Sequence, residues 1–140
     1  MRNAEILYIR LKGETSQMKK YKVWWLSIRR IKQINRALNI KLYKWQKEYI
    51  FGNGEYHDKA RFGRCNGKTL ANVLKFLFSS GPHVVFDRHC LMFNESDLYL
   101  FAREDAETMS RLRLFMSEVL RIYKILEAAG VRTTRKIIFR

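Results

Sequence analysis

The stretch FGRCNGKTLANVLKFLF, residues 62–78, decides how the rest of the chain is read. Its first half is a loop, in which Gly63 and Gly67 bracket polar residues without any apolar period. Its second half is a helix over residues 67–79. There Leu70, Val73, Leu74 and Leu77 recur at three- and four-residue steps, and Gly81-Pro82 stops the run. A loop that feeds a helix aims backbone N–H groups at whatever lies in front of it, and the first turn adds the positive end of the helix dipole. In that setting Gly67 permits close backbone approach, Lys68 reaches outer phosphates and Thr69 offers a hydroxyl to Mg²⁺. The strict phosphate-loop pattern, G-x-x-x-x-G-K-[ST], asks for glycine where this chain has Phe62. A solvated loop leading into a helix is the competing account.

Upstream, LYKWQKEYIFG (residues 42–52) is short, aromatic-rich and stopped by Gly52 and Gly54. The glycine-rich loop after it has room for a short strand around Ala60–Phe62. Residues 19–39 read as a helix: Trp24, Ile28, Ile31, Ile34 and Leu38 fall on one face, and Arg29, Lys32 and Arg36 keep the same step on another. That second stripe is either a solvated surface or a track for phosphates.

Downstream, residues 83–96 are irregular, with His83–Phe86 extended. Asp97–Arg103 (DLYLFAR) is a nearly continuous apolar run and the best strand candidate. A helix from about residue 105 to 128 follows, with Asp105 placed to cap it and Ala106, Met109, Leu112, Met116, Leu120 and Tyr123 along one side. Arg111 and Arg113 project cations from it. Gly130 ends it, and Val131–Phe139 forms a last strand. The alternation implies an α/β fold: a small phosphate-loop-like βαβ unit with a parallel sheet and an added N-terminal basic helix.

The chain has 140 residues, the size of one domain, and 47% hydrophobic residues, enough for a core. Its 28 Lys and Arg against 13 Asp and Glu leave a formal net charge of +15. Such a surplus implies a polyanionic partner, nucleic acid first, since neutralising phosphates releases their counterions. No apolar run reaches membrane-span length, so a membrane is not the expected partner. Two cysteines, Cys65 and Cys90, make no disulfide framework, and His57, His83 and His89 lack metal-site spacing. A cytoplasmic setting is the expectation. Met18 opens MKKYKVWW, and the codons of Lys12-Gly13-Glu14 can spell a ribosome-binding site. The expectation is therefore a leader over residues 1–17 and one domain over 18–140, the rival being an edge strand over Glu5–Lys12.

Three pieces in order resemble the ATPase lobe of the large terminase subunit of tailed phages, which packages DNA. They are Trp45-Gln46 in LYKWQKEYI, Arg64-Cys65-Asn66-Gly67-Lys68-Thr69, and the stretch Asp97–Leu120. The likeness covers roughly residues 40–139. It implies that Gln46 contacts adenine, that Asn66, Gly67, Lys68 and Thr69 hold ATP phosphates and Mg²⁺, and that Arg64, three positions before Gly-Lys-Thr, stabilises charge on the transferred phosphoryl group. In that family an acidic strand end lies beyond the segment matching Lys136–Phe139, and it supplies the metal-binding Asp and the Glu that activates water. The expectation for this chain is accordingly binding without ATPase turnover. Glu104 and Asp105 imitate an acidic pair, but capping is their expected role. The leading function is a phage-derived terminase-like module that binds nucleic acid or a nucleoprotein. The rivals are part of a split packaging ATPase completed by a second terminase-like chain, and a small phage-encoded inhibitor of a host nuclease effector. Strand-edge dimerisation into a homodimer is the expected self-association.

Overall fold

A computed structural model describes residues 16–52, 54, 67–94 and 98–140, with side chains from residue 27 onward. In chain order its elements are α1 (Ser16–Leu38), α2 (Lys44–Phe51), α3 (Lys68–Phe78), β1 (Val84–Asp87), β2 (Met92–Phe93), α4 (Leu98–Ala102), a 3₁₀ turn (Arg103–Ala106), α5 (Met109–Ala128) and β3 (Ile137–Phe139). Mostly helical, the fold is mixed α/β with a three-stranded sheet in the order β2-β1-β3.

The first helix ends where Asn39 adopts a left-handed φ of 53°, and the Asn35 side chain accepts from the Leu42 N–H at 3.2 Å as the chain turns. Ile34 is fully buried, with Ile31 and Leu38 packed beside it; Trp24 lies among the side chains outside the description. Arg30 turns inward, its guanidinium 5.5 Å from the centre of the Phe78 ring. Helix α3 is the hub: α2, α4 and α5 all pack on it, and its Val73, Leu74, Phe76 and Leu77 are entirely buried.

The sheet departs from the all-parallel expectation. Strand β1 pairs in parallel with β3, Val84 opposite Ile137, and antiparallel with β2, Phe86 opposite Phe93. The β1–β2 turn is tight because the Asp87 carboxylate accepts from the His89 N–H at 2.8 Å and Leu91 takes a left-handed φ of 56°. Those hydrogen bonds hold the Asp87 carboxyl below its usual range.

Within DLYLFAR, Leu98–Ala102 is a helix and Arg103 opens a 3₁₀ turn, not a strand, while Asp97 lies outside the described residues. A short apolar run suits either element by composition. Here Leu98 and Ala102, one helical turn apart, are the buried pair, while Leu100 remains 76% exposed. Phe101 meets Phe76 edge to face at 5.5 Å. The strand expected from a continuous apolar run would have been buried on both faces, leaving neither Tyr99 nor Leu100 exposed. The central place in the sheet belongs to VVFD, residues 84–87, which overlaps the extended reading of His83–Phe86 in an otherwise irregular stretch.

The long helix also starts later than expected. Thr108, not Asp105, is its cap, accepting from the Arg111 N–H at 3.2 Å. Its buried stripe runs through Leu112, Phe115, Met116, Val119, Ile122, Tyr123 and Leu126. The predicted face was rotated toward Met109, which is 55% exposed, because α5 faces both α1 and α3 and so buries a broad stripe. Gly130 terminates the helix with φ 76°, and the Val131 N–H bonds back to the Leu126 carbonyl at 2.9 Å.

Arg135 ties the last segment to the hub. Only 1% exposed, it is the bulkiest fully buried side chain among the described residues. Its Nε donates to Ser79 Oγ at 3.1 Å and its Nη2 to the Ser80 carbonyl at 3.2 Å. The guanidinium also lies 4.8 Å from the centre of the Phe76 ring and 5.5 Å from that of Phe101. Its backbone N–H reaches the Leu77 carbonyl at 3.0 Å. Arg135→Ala leaves a cavity and removes the hydrogen bonds to Ser79 and Ser80, and should lower unfolding free energy by about 2–4 kcal/mol. Exposed Arg132→Ala should stay within about 0.5 kcal/mol. Urea denaturation of both variants checks this, and equal, small losses would contradict it.

Candidate functional site

The start of α3 is held from the side by α2. Gln46, 2% exposed, accepts the Tyr43 N–H through Oε1 at 2.8 Å and donates through Nε2 to the Gly67 carbonyl at 2.9 Å. The first bond closes the N-terminus of α2, and the second fixes the N-terminus of α3. Gly67 has φ 70°, and a Cβ there would strike the Gln46 amide. Both facts require glycine at this position whether or not phosphate binds. Gln46 and Gly67, paired by the sequence reading as a nucleotide site, are therefore neighbours. The contact that joins them uses both ends of the Gln46 amide.

Lys68 and Thr69 open the helix, each half-buried. Thr69 Oγ1 donates to the Asp105 carboxylate at 3.1 Å, across a sequence gap of 36 residues. This replaces the capping role expected of Asp105. Because the 3₁₀ turn precedes Thr108, the carboxylate faces α3 instead of α5. Arg64 and Asn66 lie outside the described residues.

Beside this contact is a cluster that the sequence reading missed. The Tyr49 hydroxyl donates to Asn72 Oδ1 at 2.9 Å and accepts from Arg103 Nε at 3.1 Å. Lys75 Nζ donates to the Tyr49 carbonyl at 2.6 Å and sits 4.6 Å from the centre of its ring. Arg103 takes a left-handed φ of 51°, a conformation that costs an L-residue about 1–2 kcal/mol and must be held by its surroundings. Burial pushes the Tyr49 phenol above its ordinary value, outweighing the lowering by Arg103. Burial, with Arg103 nearby, pulls the Lys75 ammonium down. One signal for the cluster was legible: Asn72 is a polar residue in the otherwise apolar face of LANVLKFLF. Its partner Tyr49 was not, because only folding brings α2 across α3.

The cations of α1 lie elsewhere. Arg29, Lys32 and Arg36 are exposed and make no salt bridge with the described residues. They line one wall of a groove of about 540 Å³, and Ala129, Gly130 and Val131 at the end of α5 form the other. Arg111 and Arg113 do not join it. They stand near the start of α5, roughly 25–30 Å along the axis from Gly130, and Arg111 pairs with Glu107 at 3.6 Å. Among the described residues no cluster of three His, Cys, Asp or Glu side chains could hold a metal. Nor does any described helix have the length and apolarity to cross a membrane.

No protein-family model, curated protein or solved structure matches this chain.

The Tyr49 environment makes stability pH-dependent. A raised phenol contributes stability that is complete below its unfolded value of 10.0 and is lost as pH rises through the higher folded value. Lowered Lys75 acts oppositely, adding stability as pH climbs from its folded value toward 10.5. Tyr49→Phe removes only the first effect, so its denaturation midpoint should fall less than wild type between about pH 9 and pH 11. Parallel curves would show that Tyr49 is not the titrating group.

Proposed function

We propose that this chain is a nucleic-acid-binding module whose α1 stripe follows a phosphate backbone. The observation that carries the reading is the groove beside Arg29, Lys32 and Arg36: three outward cations without a carboxylate partner among the described residues, facing a helix end that presents Gly130. Arg36 lies seven helical positions after Arg29, a span of roughly 10 Å, which matches about three phosphates at 3.4 Å per strand along a duplex axis. The surplus of +15 favours the same partner. On this reading the likeness of residues 40–139 to the large terminase subunit points to a phage DNA-handling origin.

Replacing Arg29, Lys32 and Arg36 together by Gln should weaken binding across sequences. It should also reduce the slope of log affinity against log salt by about 0.9 per cation for duplex DNA. Fluorescence anisotropy across a salt series measures both. An unchanged slope removes the groove from the interaction.

The Thr69–Asp105 contact favours a second reading, a nucleotide-phosphate site at the start of α3. A hydroxyl and a carboxylate fit Mg²⁺, which takes one or two protein oxygens alongside phosphate and water. Thr69 and Asp105 would hold the ion, and Lys68 the outer phosphates; bound Mg²⁺ would neutralise phosphate charge there. The reading is one of binding without turnover. ATP with Mg²⁺ at about 100 times its Kd should stabilise the fold by about 2.7 kcal/mol, and Lys68→Ala should abolish the resulting rise in melting temperature. A melting temperature indifferent to ATP rules the site out.

A further inference from the structure

A second cavity, of about 620 Å³, lies across the end of α5 from the basic groove. Its lining includes Phe86, Arg88, Lys124, Glu127 and Phe139. The floor is aromatic: Phe86 is buried beneath, and its ring meets that of Phe139 edge to face at 6.1 Å. Two cations hang over Phe139, Arg88 at 5.6 Å and Lys124 at 5.5 Å from the ring centre. Both are exposed, and neither makes a salt bridge with the described residues, although Glu127 shares the cavity.

The two hollows adjoin. One wall of the cavity ends at Ala128, and the wall of the groove begins at Ala129. Gly130, in the groove wall just past this junction, leaves open space, since a Cβ added there would meet nothing within 4 Å. A chain laid along Arg29, Lys32 and Arg36 can therefore pass around the end of α5 and enter the cavity. A duplex is too stiff and too wide to make that turn, whereas a single strand bends and can splay a base out of its stack. Aromatic rings and guanidinium planes stack on bases of any sequence, and flanking cations hold the adjoining phosphates. Glu127 offers an acceptor to the amino group of a base or to a sugar hydroxyl.

From this continuity, and resting on the groove reading above, we propose that the protein prefers single-stranded nucleic acid. An unpaired nucleotide enters the cavity, its base against Phe139 and Arg88 and its phosphate beside Lys124. The elements are short and local: Arg88 follows β1, Phe139 closes β3, and Lys124 lies on the last turns of α5. The parallel pairing of β1 with β3, Phe86 opposite Phe139, brings the first two together.

The test compares a labelled single-stranded oligonucleotide with its duplex by fluorescence anisotropy at one salt concentration. Wild type, the Arg29/Lys32/Arg36→Gln variant, Phe139→Leu and the double variant Arg88→Gln/Lys124→Gln are measured in parallel. Leucine keeps apolar volume over Phe86, and the double variant changes only exposed residues, so misfolding does not decide the result. The expected outcome is a wild-type preference for the single strand that drops about tenfold in both cavity variants. A ratio of single-strand to duplex affinity that stays constant in both, while the groove variant still loses binding, overturns the cavity and leaves the groove standing. Binding indifferent to the groove variant, or no binding by wild type, removes the groove reading and the cavity with it.

Discussion

The fold depends on one cation taken out of water. Arg135 carries a guanidinium into the core, where Ser79, the Ser80 carbonyl and the faces of Phe76 and Phe101 surround it. Without such partners, burying the charge would cost far more than a small domain can spare. Arginine suits the place because its flat, weakly hydrated head both stacks and donates several hydrogen bonds. Gly81 has no side chain because one would collide with that head. The consequence reaches beyond stability. Arg135 sets where the chain leaves α3 and where β3 returns. Two residues later β3 begins, in parallel register with β1, with Phe139 opposite Phe86.

The start of α3 shows how one motif serves two masters. Glycine at position 67 is demanded by a left-handed backbone and by the Gln46 amide pressed against it. Those demands are structural, so Gly-Lys-Thr by itself does not select phosphate binding. What separates the accounts is chemistry that packing does not require. The hydroxyl of Thr69 meeting a carboxylate delivered from 36 residues away is one such feature. The strained Arg103 beside Tyr49 is another, since backbone strain that is held in place tends to gather at working sites.

Positive charge is divided by role. Buried Arg135 and half-buried Arg30 and Lys75 are each set over an aromatic ring, as is exposed Arg103. Arg29, Lys32 and Arg36 face outward on a single helix, in register with a groove. Cation–aromatic contact lets a basic protein tolerate its charge inside, while the unpartnered stripe remains available to an external polyanion.

Much of the framework was legible in the sequence because it rests on local rules. The apolar period marked α1 and α3, the Gly130 terminator marked the end of α5, and the i, i+3, i+7 spacing of Arg29, Lys32 and Arg36 placed three cations on one face. Where the period was ambiguous, tertiary contact decided. DLYLFAR is apolar enough for either element, and it became helical because Leu98 and Ala102 face α3 together while VVFD occupies the sheet. Asp105 was close enough to a helix start to read as a cap, but the intervening 3₁₀ turn aims it at Thr69. The Phe139 cavity and the Tyr49 cluster join segments separated by dozens of residues, and no periodicity encodes such meetings. The sequence by itself determined which residues are apolar, which are charged and where helices stop, since those follow from side-chain chemistry over a few neighbouring positions. Only the tertiary structure decided which cations stand free and which are spent inside, because that depends on packing between elements distant along the chain.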